Sequence, residues 1–178
     1  MANSSEEARL EALFREHFSA VRSYARRRAP EALVDDVVAE TFLVAWRRID
    51  DLPQNVRPWL FGVARRTLST QLRSARRRAS LIEKLTAAVR PETFSQVDGP
   101  DAVLVASLKR LSATDQEVLA LAAWEELAPR EAAVVLDVSP TWYRVRLHRA
   151  KKRLLRELER SESAAGQPRP MPTEGIAK

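Results

Sequence analysis

The chain has 178 residues, 30 Lys and Arg against 24 Asp and Glu, a net charge of +6, and 45% hydrophobic residues. That is apolar material for one medium core or two small ones, and the basic excess suits a polyanionic partner. With no cysteine, four glycines and two histidines, the composition excludes disulfides, thiolate chemistry, a Gly-rich phosphate loop and a histidine metal cluster, and no cofactor is expected.

Met1 to Glu11 is polar and acidic, unlike a signal peptide, and no apolar run reaches the length of a membrane span. A cytoplasmic protein is therefore expected. Ser4-Ser5-Glu6-Glu7 offers a capping box. After it, Leu10, Leu13, Phe14, Phe18, Val21 and Ala25 recur at helical spacing, and Arg26, Arg27 and Arg28 suit the negative end of that helix. A second helix is predicted over about 32–49, with Val34, Val38, Phe42, Ala45 and Ile49 as its core stripe. Asp50 to Asn55 reads as a loop. Asn55 can cap a third helix that carries Pro58 in its first turn and turns Leu60, Ala64, Leu68 and Leu72 inward. This helix runs to about Arg78 and could extend to Val89.

Composition then shifts. Arg90 to Pro100 reads as a linker. Further helices are predicted over about 101–111, 113–125, 129–136 and 140–160, and the Ser-, Ala-, Gly- and Pro-rich end as a disordered tail. The expected fold class is all-α. Two small helical domains, 5–80 and 106–160, are joined by a flexible linker, 81–105, and followed by the tail, 161–178.

The C-terminal pair of helices reads as a helix-turn-helix. Pro129 suits a first helical turn, and Ala132, Ala133 and Leu136 allow close packing. Asp137-Val138-Ser139 is the tight turn, with Ser139 as N-cap and Pro140 at the first helical position. Tyr143, Leu147, Ala150 and Leu154 make a buried stripe. Thr141, Arg144, Val145 and His148 lie on the opposite face, where the start of such a helix meets base edges. Arg146, Arg149, Lys151, Lys152 and Arg153 can neutralise phosphates. The plain alternative is a helical hairpin with a solvated basic face.

In the first domain, the second helix turns Asp36, Ala39, Glu40, Leu43 and Trp46 away from its core stripe. An outward Trp implies a cover, from a partner or from elsewhere in the chain. The third helix has an outer face of Trp59, Gly62, Arg66, Thr70, Arg73 and Arg77, flanked by Arg65, Arg76 and Arg78. Aromatics beside a basic groove suit single-stranded nucleic acid, whose bases stack on rings. Trp59 serves equally well as core, and Phe61 suits the core better than a stacking surface.

These two blocks carry a resemblance. Val34-Asp35-Asp36-Val37-Val38-Ala39-Glu40-Thr41-Phe42-Leu43-Val44-Ala45-Trp46-Arg47, followed by Arg57-Pro58-Trp59-Leu60-Phe61-Gly62-Val63-Ala64-Arg65, resembles the second region of extracytoplasmic-function sigma factors. These are small two-domain sigma subunits of bacterial RNA polymerase. Leu108 through Leu158 resembles their fourth region, and Val138 to Leu154 is similar to its recognition helix. The resemblance covers about residues 8–160.

It implies a protein that binds core polymerase and directs promoter-specific initiation without catalysing a reaction. Asp36, Ala39, Glu40, Leu43 and Trp46 would dock on the clamp helices of the largest polymerase subunit. Asn55, Trp59, Arg65, Arg66, Thr70, Arg73 and Arg77 would meet the −10 element. Ser139, Thr141, Trp142, Arg144, Val145, Arg146, His148 and Arg149 would read the −35 element. An anti-sigma factor is implied as a further partner, and the free chain would be a monomer. The sequence departs from the family pattern at Ala39, often Gln, at Arg66, often Asn, and at Thr70, often Asp. Trp142 replaces a small hydroxyl residue and Asp137 a glycine. Three other readings remain. A stand-alone regulator would need a dimer surface or ligand pocket, neither evident in the first domain. A metal-dependent nuclease would need a further acidic ligand beside Asp35, Asp36 and Glu40. A pure adaptor would not need the basic recognition face.

Overall fold

The chain folds as the helical spacing predicts, and the computed structural model describes residues 4–83 and 101–165. The first domain is built from α1 (Ser4–Arg26), α2 (Glu31–Arg47) and α3 (Val56–Glu83). Pro30, with φ −55° and ψ 143°, holds the chain extended immediately before α2. Val34, Val38, Phe42, Ala45 and Ile49 are all buried, and so are Val37 and Thr41, because α2 packs against both α1 and α3. The Thr41 hydroxyl is satisfied by donating to the Val37 carbonyl at 2.7 Å.

The second domain contains α4 (Asp101–Arg110), α5 (Ala113–Ala123), α6 (Pro129–Leu136) and α7 (Pro140–Ala165). Ser112 caps α5 by accepting from the Asp115 backbone N–H at 3.1 Å. Between α6 and α7 the turn forms at Asp137, which takes the left-handed conformation at φ 58°, ψ 50°. Its successor Val138 donates to the Ala133 carbonyl at 3.0 Å and closes the turn. Ser139 then accepts from the Trp142 N–H at 3.1 Å, so α7 starts where its Ser-Pro pair predicts. Tyr143 and Ala150 are fully buried and Leu147 and Leu154 partly so, which is the expected stripe. The Tyr143 hydroxyl donates to the Val118 carbonyl at 2.9 Å, and burial pushes its pKa up to about 12.

The domains do not keep separate cores. One hydrophobic cluster runs from Val21, Tyr24 and Leu60 of the first domain into Val118, Leu121, Val135 and Tyr143 of the second. The contact is made by α6 lying on α3. Phe61, Gly62 and Val63 are buried beside the expected inner stripe of α3, Phe61 stacked on Tyr24 of α1 and Gly62 facing Val134 and Val135 of α6, so the helix is covered on more than one face. A Cβ on Gly62 would stand 3.7 Å from the Val134 carbonyl and the Val135 Cα, ordinary van der Waals contact, so the α3 backbone here faces α6 directly. Gly62, expected on the outer face, is therefore an interdomain contact. The expected linker, 81–105, is helical at both ends, in α3 as far as Glu83 and in α4 from Asp101, and 84–100 lies outside the described residues; the expected tail, 161–178, begins inside α7, which continues to Ala165, and 166–178 lies outside them.

Candidate nucleic-acid interface

The exposed face of α7 carries Thr141, Trp142, Arg144, Val145, His148 and Arg149, together with Lys151 and Lys152. Trp142 and Val145 are among the large hydrophobic side chains left in solvent. They stand one helical turn apart beside Arg144. This surface combines hydrogen-bond donors with apolar contacts, the two means by which base edges are read. Ser139 has a structural task as the cap of α7. Arg146 and Arg153 also have one. Both ion-pair with Asp115, a buried carboxylate, at 2.6 Å each. Burial alone would raise the pKa of Asp115, but its hydrogen bonds and charge contacts with Arg153, Ser112 and Arg146 outweigh that and hold it below the ordinary value.

The −10 candidates divide. Arg66, Thr70, Arg73 and Arg77 are exposed along the outer side of α3. Thr70 donates to the Arg66 carbonyl at 3.0 Å, so its hydroxyl hydrogen is engaged by the helix. Trp59 is half-buried against the core, with the Arg48 guanidinium 5.9 Å from its ring centre. Asn55 and Arg65 face the second domain. Asn55 donates to Glu131 at 2.7 Å, and this bond, with that from the Ala128 N–H, holds the Glu131 carboxyl below its ordinary pKa. Arg65 lines two clefts, one shared with Tyr24, Arg27, Arg28 and α5, the other with α5, Leu136, Val138 and Trp142.

On the far side of the first domain, α1 and α2 leave an apolar groove. Leu10, Phe14, Ala39, Phe42, Leu43 and Trp46 line it, and Glu7 and Glu11 stand at its edge. Ala39, Leu43 and Trp46 of its α2 wall are on the outward face that helical spacing predicts. Phe14 has the spacing of the inward stripe but is 43% exposed, its ring 4.8 Å from that of Phe42. Asp36 is exposed and Glu40 half-buried on the same helix.

An ionic cluster between the domains was not read from the sequence at all. Glu125 is 1% exposed and lies between Arg27 and Arg28, the latter at 2.6 Å. Arg28 also donates through Nε to Glu117 at 2.9 and 3.1 Å. Its guanidinium lies 3.7 Å from the centre of the Tyr24 ring, and the Tyr24 hydroxyl donates to Glu117 at 3.1 Å. Burial is the largest influence on Arg28 and favours its neutral form, yet Tyr24, Glu117 and Glu125 overcome it and raise its pKa. Burial likewise raises the pKa of Tyr24. Arg57 adds a bond to the Glu125 carbonyl at 3.1 Å. By sequence, Arg27 and Arg28 suit the negative end of α1 and nothing further. Nothing in local spacing reveals acidic partners about 90 residues away, as for Arg28 and Glu117.

Among the described residues, no group of three or more His, Cys, Asp and Glu is placed to hold a metal ion, and no helix is long and apolar enough to cross a membrane. Residues 13–78 match the family model for Sigma-70 region 2, and residues 102–154 that for Sigma-70, region 4. The ECF RNA polymerase sigma factor SigL of Mycobacterium tuberculosis is 32% identical over 161 residues, covering 86% of this chain and 90% of SigL. RNA polymerase sigma factor NccH of Alcaligenes xylosoxydans xylosoxydans is 30% identical over 147 residues, 75% of this chain and 77% of NccH. Among solved structures, CnrH in complex with the cytosolic domain of CnrY superposes with TM-score 0.59 at 27% identity, covering 85% and 88% of the two chains. The fold is also that of the sigma factor RpoE of Bartonella quintana, solved with the anti-sigma factor NepR, at TM-score 0.64, 22% identity, and 84% and 96% coverage. The chain thus belongs to the extracytoplasmic-function sigma factors, the sigma subunits that direct RNA polymerase to promoters.

Proposed function

We infer that the chain divides this task between its two domains. The groove between α1 and α2, with Leu43 and Trp46 in its floor and Asp36 and Glu40 nearby, docks on the clamp helices of the largest polymerase subunit. The α3 face from Asn55 to Arg77 meets the −10 element. The exposed face of α7, around Thr141, Arg144, Val145 and His148, reads the −35 element, and Arg149 takes a phosphate. Arg146 acts in this reading by holding α7 to α5 through Asp115. The observation that carries it is the separation of surfaces: an apolar groove on one domain and an exposed base-reading helix face on the other. An anti-sigma partner belongs to the same reading and is supported by the fold shared with RpoE, which was solved bound to one.

Reading both elements requires the domains to part. The −10 and −35 elements lie about 25 base pairs apart, about 85 Å of B-DNA at 3.4 Å per base pair. Two small domains sharing one core do not span that distance. The compact arrangement is therefore the free form, and promoter binding opens it.

The test is a pull-down with core polymerase followed by run-off transcription on genomic fragments. Retention on core and a discrete set of starts are expected. No retention on core, or tight specific DNA binding without polymerase, would overturn the reading. Trp46→Ala should weaken retention on core and leave DNA preference unchanged. Arg144→Ala should reduce −35 discrimination by about 1–3 kcal/mol, read as loss of preference among promoters mutated one base at a time.

A further inference from the structure

We propose that Arg27 and Arg28 form a binding site for DNA backbone phosphate, which Glu117 and Glu125 of the second domain occupy while the domains are packed together. The proposal rests on the reading of the first domain as a DNA-binding surface. It adds a site at the end of α1, beside Arg65 of the α3 face that meets the −10 element.

The geometry is that of a phosphate receptor filled by carboxylates. Two guanidiniums converge on Glu125, and one of them also holds Glu117 through paired contacts. A guanidinium fork serves a phosphate diester and a carboxylate equally, since each offers two anionic oxygens at similar spacing. The carboxylates leave part of the fork unused. Arg27 Nε and Arg28 Nη2 are buried with no hydrogen-bond partner among the described residues, although the Arg28 side chain is only 10% exposed. A buried donor without an acceptor is costly, so this occupant fits the site incompletely.

Location supports the same ligand. Arg27 and Arg28 line one cleft with Arg65 and Ser69 of α3, the helix proposed to meet the −10 element. Three second-domain carboxylates touch the first domain. Glu117 and Glu125 sit on the arginine pair, and Glu131 sits on Asn55. The second domain thus places negative charge where DNA would place it. Separating the domains frees the pair for phosphate, and packing them excludes DNA.

The test uses the full chain without polymerase and a fluorescein-labelled duplex of arbitrary sequence, followed by anisotropy. The double substitution Glu117→Gln, Glu125→Gln should tighten binding about ten-fold at low salt and steepen the salt dependence by about one to two counterions. Adding Arg27→Gln and Arg28→Gln should abolish the gain, while Arg27→Lys and Arg28→Lys should keep most of it. Unchanged affinity in the glutamine variant overturns the proposal. A gain that survives loss of both arginines also overturns it, because opening would then have exposed only the α3 face. If the double variant loses its helical circular dichroism, each single Glu→Gln substitution leaves one carboxylate in place and gives the same comparison with a smaller gain. Core polymerase is absent throughout, so failure here leaves the sigma assignment standing, and failure to bind core leaves this result readable.

Discussion

Asp115 and Glu125 are both buried carboxylates held between two arginines, but they tie together different levels of structure. Asp115 joins α5 to α7 within one domain. Its arginines, Arg146 and Arg153, are 29% and 45% exposed and reach in from the surface. Glu125 joins α1 to the end of α5 across the domain boundary, and Arg28 is buried with it. A carboxylate within a domain can be released only by unfolding. One between domains can be released by separation, after which water solvates both partners. The same chemistry therefore makes a fixed joint in one place and a reversible one in the other.

Substitution should separate these two behaviours. The largest effect is expected from Asp115→Ala. It removes the acceptor for two arginines, and the second domain should lose about 2 kcal/mol, below the range for fully buried pairs because both arginines reach solvent. Urea denaturation followed by circular dichroism measures this. Glu125→Ala should act differently. Its cost cannot exceed the free energy that holds the domains together, since parting rehydrates Arg27 and Arg28. The radius of gyration in small-angle scattering should increase while the helical signal is retained. A compact variant that melts as a whole would erase the distinction.

Acid sharpens the comparison. The pKa of Asp115 is lowered in the folded chain, so its contribution is fully present above the unfolded value, about 4, and is lost as pH falls through the folded value. The difference in stability between Asp115→Asn and the parent chain should be greatest above about pH 4 and vanish in stronger acid. Thermal melts across that range test the sign. The smallest effect is expected at Asp137. Its left-handed φ of 58° favours glycine, and Asp137→Gly should stabilise the second domain by up to about 1 kcal/mol, the strain relieved less the extra freedom of the unfolded chain. An unchanged melting temperature would show that the aspartate side chain compensates locally.

Much was legible in the sequence because it is governed by neighbours. Helical period marked the core stripe of α2 and the stripe of α7 from Tyr143 to Leu154. The Ser139-Pro140 pair marked the start of α7. The motif blocks from Val34 to Arg65 and from Val138 to Leu154 identified the family. Phe14 shows where this reasoning reaches its limit. Its spacing matches the inward stripe, but three or four residues per two turns cover a wide arc, and the edge of that arc faces solvent. Gly62 shows the converse, since it is buried by a helix some 70 residues further along the chain.

The sequence by itself determined the helices, the Ser139 cap of α7, the tight turn at Asp137 and the composition of the exposed face of α7. These depend on contacts within about one turn and on a repeating apolar pattern. Only the tertiary structure decided that α6 covers α3, that Arg146 is held by Asp115, and that Arg27 and Arg28 meet Glu117 and Glu125. An arginine run carries no record of its counterion, because a charge is satisfied by whatever the fold brings within about 4 Å, however distant in the chain.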